Sequence, residues 1–359
     1  MPADQSPAAG GAGHDVLAGL EGRLASARGA VIGTSGPLRI SPAEEDAFAA
    51  LIGDWDPMHN DPAWQMDAGD GPIVLGFHVL ARVDADLRRC PVLAGAAAAI
   101  SVSTVGLDGV RFPAPFPVGA PVVSEISVVD VARSETGLAL TTKHRYSSRG
   151  GSKPVMVGEL VSLVQAGNDE HAAGQSPARA RDEEDAAVAI ADLPAGSPLP
   201  RATRHDNAFF AGLAARAGQW LGTTPWTCVS DREAHAFALL TGNDGAGSQG
   251  DLWSRAHPFQ RGAVPPLQLL ALRAYFSPLV GLPVLTDDTM MAFNYGVDRA
   301  RWYGPVSAGT RLRDHVQLTG AQTRRPGDHL VSTRHVLEAE GDDVAVLVAD
   351  CMTLYRTSS

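Results

Sequence analysis

Apolar residues in this chain recur first at helical spacing and then at strand spacing, and the sequence passes through that order twice. Val16, Leu17, Leu20 and Leu24 predict a helix over about 15–27. A second helix is expected to begin with Ser41 as N-cap, Pro42 at the first position and Glu44 and Glu45 in the first turn; its apolar face carries Ala47, Phe48 and Leu51. Val74, Leu75, Phe77, Leu80, Ala81 and Val83 predict a long apolar helix over about 72–88. From about residue 97 the pattern changes to strands separated by turn residues, at about 98–105, 121–131, 136–147 and 154–165. Residues 168–207 follow neither pattern. They are rich in Ala, Pro, Ser, Gly and charge and are expected to be a linker.

Beyond the linker the first half returns. Val229-Ser230-Asp231-Arg232-Glu233-Ala234-His235-Ala236-Phe237 aligns with Ile40-Ser41-Pro42-Ala43-Glu44-Glu45-Asp46-Ala47-Phe48. After one inserted residue, Leu269-Leu270-Ala271 aligns with Val79-Leu80-Ala81, and Tyr295 to Trp302 with Val105 to Phe112 in the same register. Chance similarity does not hold one register across separated blocks, so the chain is an internal duplication. Its last strands are expected at about 310–320, 329–339 and 343–355.

Between the second helix and the long apolar helix lies Gly53-Asp54-Trp55-Asp56-Pro57-Met58-His59-Asn60-Asp61. Pro57 has no N–H and pushes Asp56 out of the helical region, and Gly53 loosens the other side. On a straight helix Asp54 and His59 would point to different faces; on a bent loop they converge. Asp61 as N-cap and Pro62 as first residue predict a short helix beyond. The loop reads either as an acid–base pair or as a polar connection capping that helix. Its spacing fits no calcium loop or zinc pattern, and no metal is expected. In the second copy Asn243 replaces Asp54 and Ser248 replaces His59, so a single active centre would belong to the first half.

Gly53 to Asp61 resembles the hydratase signature of the MaoC-like hydratases and dehydratases, roughly Gly-Asp-x-Asn-Pro-x-His and an acidic residue, with Asp56 where Asn is usual. Gly106-Leu107-Asp108-Gly109-Val110-Arg111-Phe112-Pro113-Ala114-Pro115-Phe116-Pro117-Val118-Gly119 is similar to the strand and turn after that family's central helix, and Tyr295 to Gly309 is a weaker version. The resemblance implies an α+β fold of two hotdog repeats, each a long central helix wrapped by a curved antiparallel sheet. The central helices would be 72–88 and about 262–277. The halves would pack sheet to sheet into a double-hotdog pseudo-dimer, with pairing into a homodimer left open. The divisions would be a disordered tail at 1–13, an N-terminal repeat at 14–167, the linker at 168–207 and a degenerate C-terminal repeat at 208–359.

The resemblance also implies a chemistry: addition or removal of water at the 2,3-position of an acyl thioester carried by coenzyme A or by the phosphopantetheine of an acyl carrier protein. Asp54 and His59 would be the acid–base pair and Gly76 the backbone oxyanion donor. The family's His-Gly pair at the start of the central helix reads Leu75-Gly76 here. Asp56, Leu75, His78 and Arg111 are carried as candidate substrate-binding residues. His78 also reads as a core or tunnel-lining residue. Arg111 and Arg301, at equivalent repeat positions, read either as pairs within the sheet or as a grip on the carrier's phosphates. No metal or redox cofactor is implied. The rival readings are a hotdog thioesterase, a dehydratase or cyclase of a biosynthetic intermediate, and a catalytically silent thioester-binding protein.

Composition narrows this little further. With 359 residues, 45% apolar and 19% charged, the chain reads as globular with two domains. A net charge of −11 argues against nucleic acid as a partner. Cys90, Cys228 and Cys351 show no metal or disulfide spacing and are expected to be buried thiols. The first residues lack a signal-peptide layout, and no apolar run reaches the roughly 18 residues of a membrane span, so a soluble cytoplasmic protein is expected.

Overall fold

The computed structural model describes residues 10–64, 71–148, 151–167, 187–199, 206–243, 263–283 and 290–357. Most of the expected linker, with its charged run Arg179 to Asp185, and the loop carrying Ser248 lie outside them.

Helix α1 (Gly10–Ser26) begins earlier than its apolar spacing suggested and buries Leu17, Leu20 and Leu24. Strand β1 (Val31–Leu38) follows; the sequence analysis had placed no strand there. Its glycines, serine and proline hide strand character, and it is tolerated because it runs along the sheet edge, paired on one side with β3. Helix α2 (Pro42–Ile52) starts with the expected capping box. Ser41 Oγ accepts from the Glu44 N–H, and a Glu44 carboxylate oxygen accepts from the Ser41 N–H at 2.8 Å.

The next helix is a single turn, α3 (Pro57–Asn60), capped by Asp56. The short helix therefore starts at Pro57 and not at Pro62: Asp61 ends it and instead accepts the Ala63 N–H at 2.8 Å. Pro57 supplies the pre-set φ, and Asp56 supplies the acceptor for Met58 N–H, which is what a first turn needs. The central helix of the first half comes in pieces, α4 (Gly76–Leu80) and α5 (Val83–Arg88), followed by α6 (Pro91–Ala94). Between α4 and α5 the ladder tightens to an i→i−3 bond from Arg82 N–H to Val79 O. Strands β2 (Ile100–Arg111), β3 (Val122–Ser134), β4 (Gly137–Ser148) and β5 (Met156–Ala166) complete the half.

In the second half, α7 (Asn207–Ala214), β6 (Trp220–Thr223) and β7 (Thr227–Cys228) precede α8 (Asp231–Leu240). Helix α8 repeats the capping box with Ser230 and Glu233, and the two N-caps have nearly the same backbone angles (φ −75°, ψ 160° and φ −74°, ψ 160°). The central helix is again divided, into α9 (Pro266–Ala271), α10 (Arg273–Phe276) and a 3₁₀ turn over Ser277–Val280. It starts later than residue 262. Strands β8 (Met290–Trp302), β9 (Arg311–Arg325), β10 (Asp328–Ala339) and β11 (Leu347–Thr357) close the chain.

The strands form one antiparallel sheet in the order β1-β3-β4-β5-β2-β8-β11-β10-β9-β6, with β7 also on β9. The two hotdog halves thus join edge to edge, through β2 and β8, into one continuous sheet; the fold is the α+β double hotdog. Pairing β2 with β8 satisfies the free edge each half would otherwise expose. The seam carries the duplication's symmetry. Arg301 Nη2 donates to Asp108 Oδ1 at 2.8 Å, and Arg111 Nη2 donates to the equivalent Asp298. Helices α4, α5, α9 and α10 lie on one side of the sheet and share a continuous apolar core that includes Phe48, Leu75, Leu80, Phe237, Leu270 and Phe276. Cys90 and Cys351 are buried in it, whereas Cys228 is exposed. No helix among the described residues is long and apolar enough to cross a membrane.

Candidate active site

Helix α2 ends on Gly53, whose φ of 71° is left-handed. Asp54 N–H then bonds back to Ala49 O at 3.1 Å, a helix stop that turns Asp54 out of the helix. Asp54 Oδ1 accepts the Asp56 N–H at 3.3 Å, and Asp56 Oδ1 accepts the Met58 N–H at 3.0 Å. Burial raises the Asp56 carboxyl above its ordinary range, opposed by the Met58 N–H and by His59 and reinforced by the Asp54 carboxylate. The turn of α3 presents His59, which is nearly buried, with 7% of its surface exposed. His59 Nδ1 lies 2.7 Å from Ile73 O. A carbonyl can only accept, so Nδ1 carries a hydrogen, and in the neutral imidazole Nε2 is then the acceptor. The Ile73 N–H returns a bond to Met58 O at 2.9 Å, so the backbone that orients the imidazole is itself tied to the residue before His59.

Two cavities meet at this imidazole. The smaller, about 290 Å³, has Asp54, Asp56 and His59 on one wall and residues of the second half, among them Arg273, Asn294 and Thr353, on the other. The larger, about 550 Å³, runs past His59, Gly76 and Phe112 to Arg111, Lys153 and Arg356. His59, Ala292 and Asn294 line both. Gly76 is the first residue of α4, and its N–H has no acceptor among the described residues, as expected for an opening turn. A β-carbon there would lie 3.0 Å from the Phe112 ring, so only glycine lets the backbone come this close.

The structure thus places Asp54, Asp56 and His59 on the smaller cavity and His59 and Gly76 on the larger, and it corrects two candidates. Leu75 has no exposed surface and lines neither cavity; its contribution is its N–H, which donates to Glu45 Oε1. His78 is also buried away from both cavities. Its Nδ1 lies 2.7 Å from Glu45 Oε2, and its ring stacks on Phe48 with centroids 4.2 Å apart. Neither side chain is placed to touch a substrate, because both point into the core from the inner face of α4. Arg111 pairs with Asp298 across the seam, the structural reading of its position, and it also lines the larger cavity.

At the end of α8, the described residues of the second half are bonded by arginines from the first. Arg88 Nη1 donates to Asn243 Oδ1 at 3.2 Å, Arg89 Nη2 to Gly242 O at 2.8 Å and Arg82 Nη1 to Leu240 O at 3.0 Å. Asn243, where the first repeat has Asp54, also lies within 3.4 Å of Ala81 O through Nδ2. It therefore ties the repeats together.

Arg273, Asn294 and Thr353, which the second half contributes to the first half's cavity, belong to no motif in the sequence. The available signal was Arg273 itself, a charge inside the apolar run Leu269-Leu270-Ala271-Leu272-Arg273-Ala274-Tyr275-Phe276. Among the described residues no group of three or more His, Cys, Asp or Glu side chains could hold a metal ion.

Comparison with known proteins bears on the family and the fold. Residues 23–147 match the family model described as "MaoC like domain". The chain is 34% identical over 151 residues to the 3-hydroxyacyl-thioester dehydratase Z of Mycobacterium tuberculosis, covering 40% of this chain and 94% of that protein. A putative MaoC domain protein dehydratase from Chloroflexus aurantiacus superposes with a TM-score of 0.61 at 13% identity, over 92% of this chain and 95% of that one. A conserved hypothetical protein from Mycobacterium tuberculosis, described as having a double hotdog fold, superposes with a TM-score of 0.59 at 17% identity, over 91% and 96%. With the signature loop, the glycine at the head of the central helix and nearly the whole length of a relative matched, this chain belongs to the MaoC-like dehydratase family.

Proposed function

We propose that this chain is a hydro-lyase that adds water to, or removes it from, the 2,3-position of an acyl thioester. The observation that carries the reading is His59: one imidazole, oriented by Ile73 O, stands where the cavity holding Asp54 meets the cavity holding Gly76. The similarity to a protein named a 3-hydroxyacyl-thioester dehydratase supports it.

In the hydration direction the thioester carbonyl accepts the Gly76 N–H, and a water sits between Asp54 and His59. Asp54 accepts one hydrogen bond from the water and orients it. His59 Nε2 takes a proton as the water oxygen attacks C3, and the π electrons move through C2 to the thioester oxygen. The enolate is held at Gly76 N–H. His59 returns the proton to C2 as the enolate collapses, so one water is added and the imidazole is neutral again. A positioned acid–base group contributes about 10²–10⁴-fold and one oxyanion donor about 10²–10³-fold. The larger cavity would take the carrier's pantetheine arm, with Lys153, Arg111 and Arg356 toward its phosphate end.

The test is a set of 2-enoyl-CoA and 3-hydroxyacyl-CoA substrates followed by the absorbance of the conjugated thioester, with thiol release recorded in parallel. Asp54→Asn, which copies the second repeat, and His59→Gln are each expected to lower kcat by about 10²–10⁴-fold without loss of fold. Unchanged turnover in either variant removes that residue from the mechanism. Thiol release without hydration makes the protein a thioesterase.

A further inference from the structure

The smaller cavity contains a charge that the family's fold does not require. Arg273 opens α10, and in the duplication's register it stands where the first repeat has Val83, a buried aliphatic residue. A hotdog repeat of this chain therefore packs with an aliphatic side chain at that position. In the second repeat the position holds an arginine with only 7% of its surface exposed, on the wall of the cavity that contains Asp54 and His59.

Its partners leave it incomplete. Nη2 donates to Asn294 Oδ1 at 2.7 Å and to Thr353 Oγ1 at 3.0 Å, and the guanidinium carbon stands 5.3 Å from the centre of the Phe77 ring. Nε is buried with no partner, and among the described residues no carboxylate pairs with this charge. Buried charges are ordinarily paired, and arginine's planar fork suits a carboxylate held by two donors. Arg273 can only donate, so the Asn294 atom facing it is the oxygen, and Asn294 Nδ2 remains as a further donor beside it. The rest of the wall mixes apolar residues, among them Ala274, Leu282, Ala292 and Val331, with polar ones such as Ser277, Thr333 and Tyr355, and Asp54 and Asp56 stand on its far side. Carboxylate-binding donors thus sit in a pocket of mixed lining. At about 290 Å³ the space is at the small end of ligand cavities, which run roughly 300–1,000 Å³.

We propose that Arg273, with Asn294, binds a carboxylate carried by the acyl part of the substrate, so that the enzyme acts on short dicarboxylic 2-enoyl thioesters or their 3-hydroxy counterparts. The inference rests on the hydro-lyase reading for its reaction but on the cavity alone for its ligand. With C2 and C3 beside His59, the distal carboxylate enters the smaller cavity while the thioester and its carrier lie along the larger one. A methyl-terminated chain of the same length would leave the guanidinium desolvated and without an anion.

The test uses trans-2-enoyl-CoA substrates of four to six acyl carbons ending in methyl, carboxamide or carboxylate, with the full-length protein. The carboxylates are expected to exceed both other series in kcat/KM by about 10²-fold or more, because a site built for a polar partner rejects analogues that lack it. Arg273→Gln is expected to collapse that ratio at least about tenfold, with Arg273→Lys intermediate. Saturated analogues of the three series, titrated calorimetrically, should show the same order of binding. Methyl-terminated substrates turned over as fast as carboxylates by the wild type overturn the Arg273 assignment and leave the hydro-lyase reading standing. Preferential binding of the carboxylate analogue without turnover of any substrate does the reverse. The wild-type ratio is decisive even where the variants do not fold.

Discussion

Gly53 of the first repeat lies against Tyr275 of the second: a β-carbon on Gly53 would stand 3.0 Å from the ring Cδ2 and 3.1 Å from Tyr275 Cβ. Gly53 introduces the Asp54 loop, and Tyr275 lies two residues beyond Arg273 on α10. The contact therefore sets the Asp54 loop of one half against the helix that carries Arg273 in the other. It also explains why this position needs glycine twice, for its left-handed φ and for the absent side chain.

Gly53→Ala should lower stability by at least about 1–2 kcal/mol, the cost of a left-handed non-glycine residue, before any displacement of Tyr275. Turnover should fall as well, since the substitution moves Asp54. Urea titration beside steady-state kinetics measures both. A variant with wild-type stability would mean that the loop and α10 yield to one another easily.

The buried Glu45 carboxylate accepts from Leu75 N–H and pairs with His78, and none of the three groups reaches a cavity. Removing one partner of such a pair costs about 3–5 kcal/mol. Glu45→Ala is expected to lose on that order in chemical denaturation. His78→Ala should lose stability through its missing stack on Phe48, while the folded enzyme keeps its pH profile. A changed pH profile in His78→Ala would return this residue to the acid–base machinery.

Asp56 caps α3 where the family signature has Asn, and both residues are good N-caps. Asp56→Asn should therefore hold stability within about 0.5 kcal/mol, whereas Asp56→Ala should lose about 1 kcal/mol. The same Asn removes a carboxylate beside Asp54, so the acid limb of the activity profile is expected to move to lower pH. An acid limb identical to wild type would show that Asp56 carries no charge in the active range.

His144 is wholly buried, its Nδ1 has no partner, and burial lowers its pKa from 6.5 to about 3. Protons therefore bind the unfolded state more tightly. The stability this neutral imidazole contributes is complete above the unfolded pKa and is lost as pH falls from about 6.5 toward 3. Over the interval from pH 6.5 to 5 that loss is about 2 kcal/mol. Denaturation of wild type and His144→Phe at pH 7 and pH 5 should show a smaller drop in the variant. Equal drops would assign the acid sensitivity to other groups.

Much of the site's local geometry was legible without coordinates. Ser41 with Glu44 and Ser230 with Glu233 announce two helix starts, and the turn between Gly53 and Pro57 follows from glycine's left-handed φ and proline's fixed one. The short helix was misplaced by one proline because Pro57 and Pro62 both follow an aspartate. The choice between them depends on which turn the packed core receives, and Met58 and His59 are buried on the first. Strand β1 was invisible because an edge strand tolerates glycine and proline that a central strand would exclude.

By itself the sequence determined the duplication, the strand and helix periods, and the Asp54–His59 loop present in one copy and replaced in the other. Periodicity, caps and turns depend on near neighbours along the chain. Only the tertiary structure decided that Leu75 and His78 serve the core, that β2 and β8 join the halves edge to edge, and that Arg273 of the second repeat stands in the cavity of the first. Those relations are set by which surfaces pack together across nearly two hundred residues of chain, and local spacing carries no record of them.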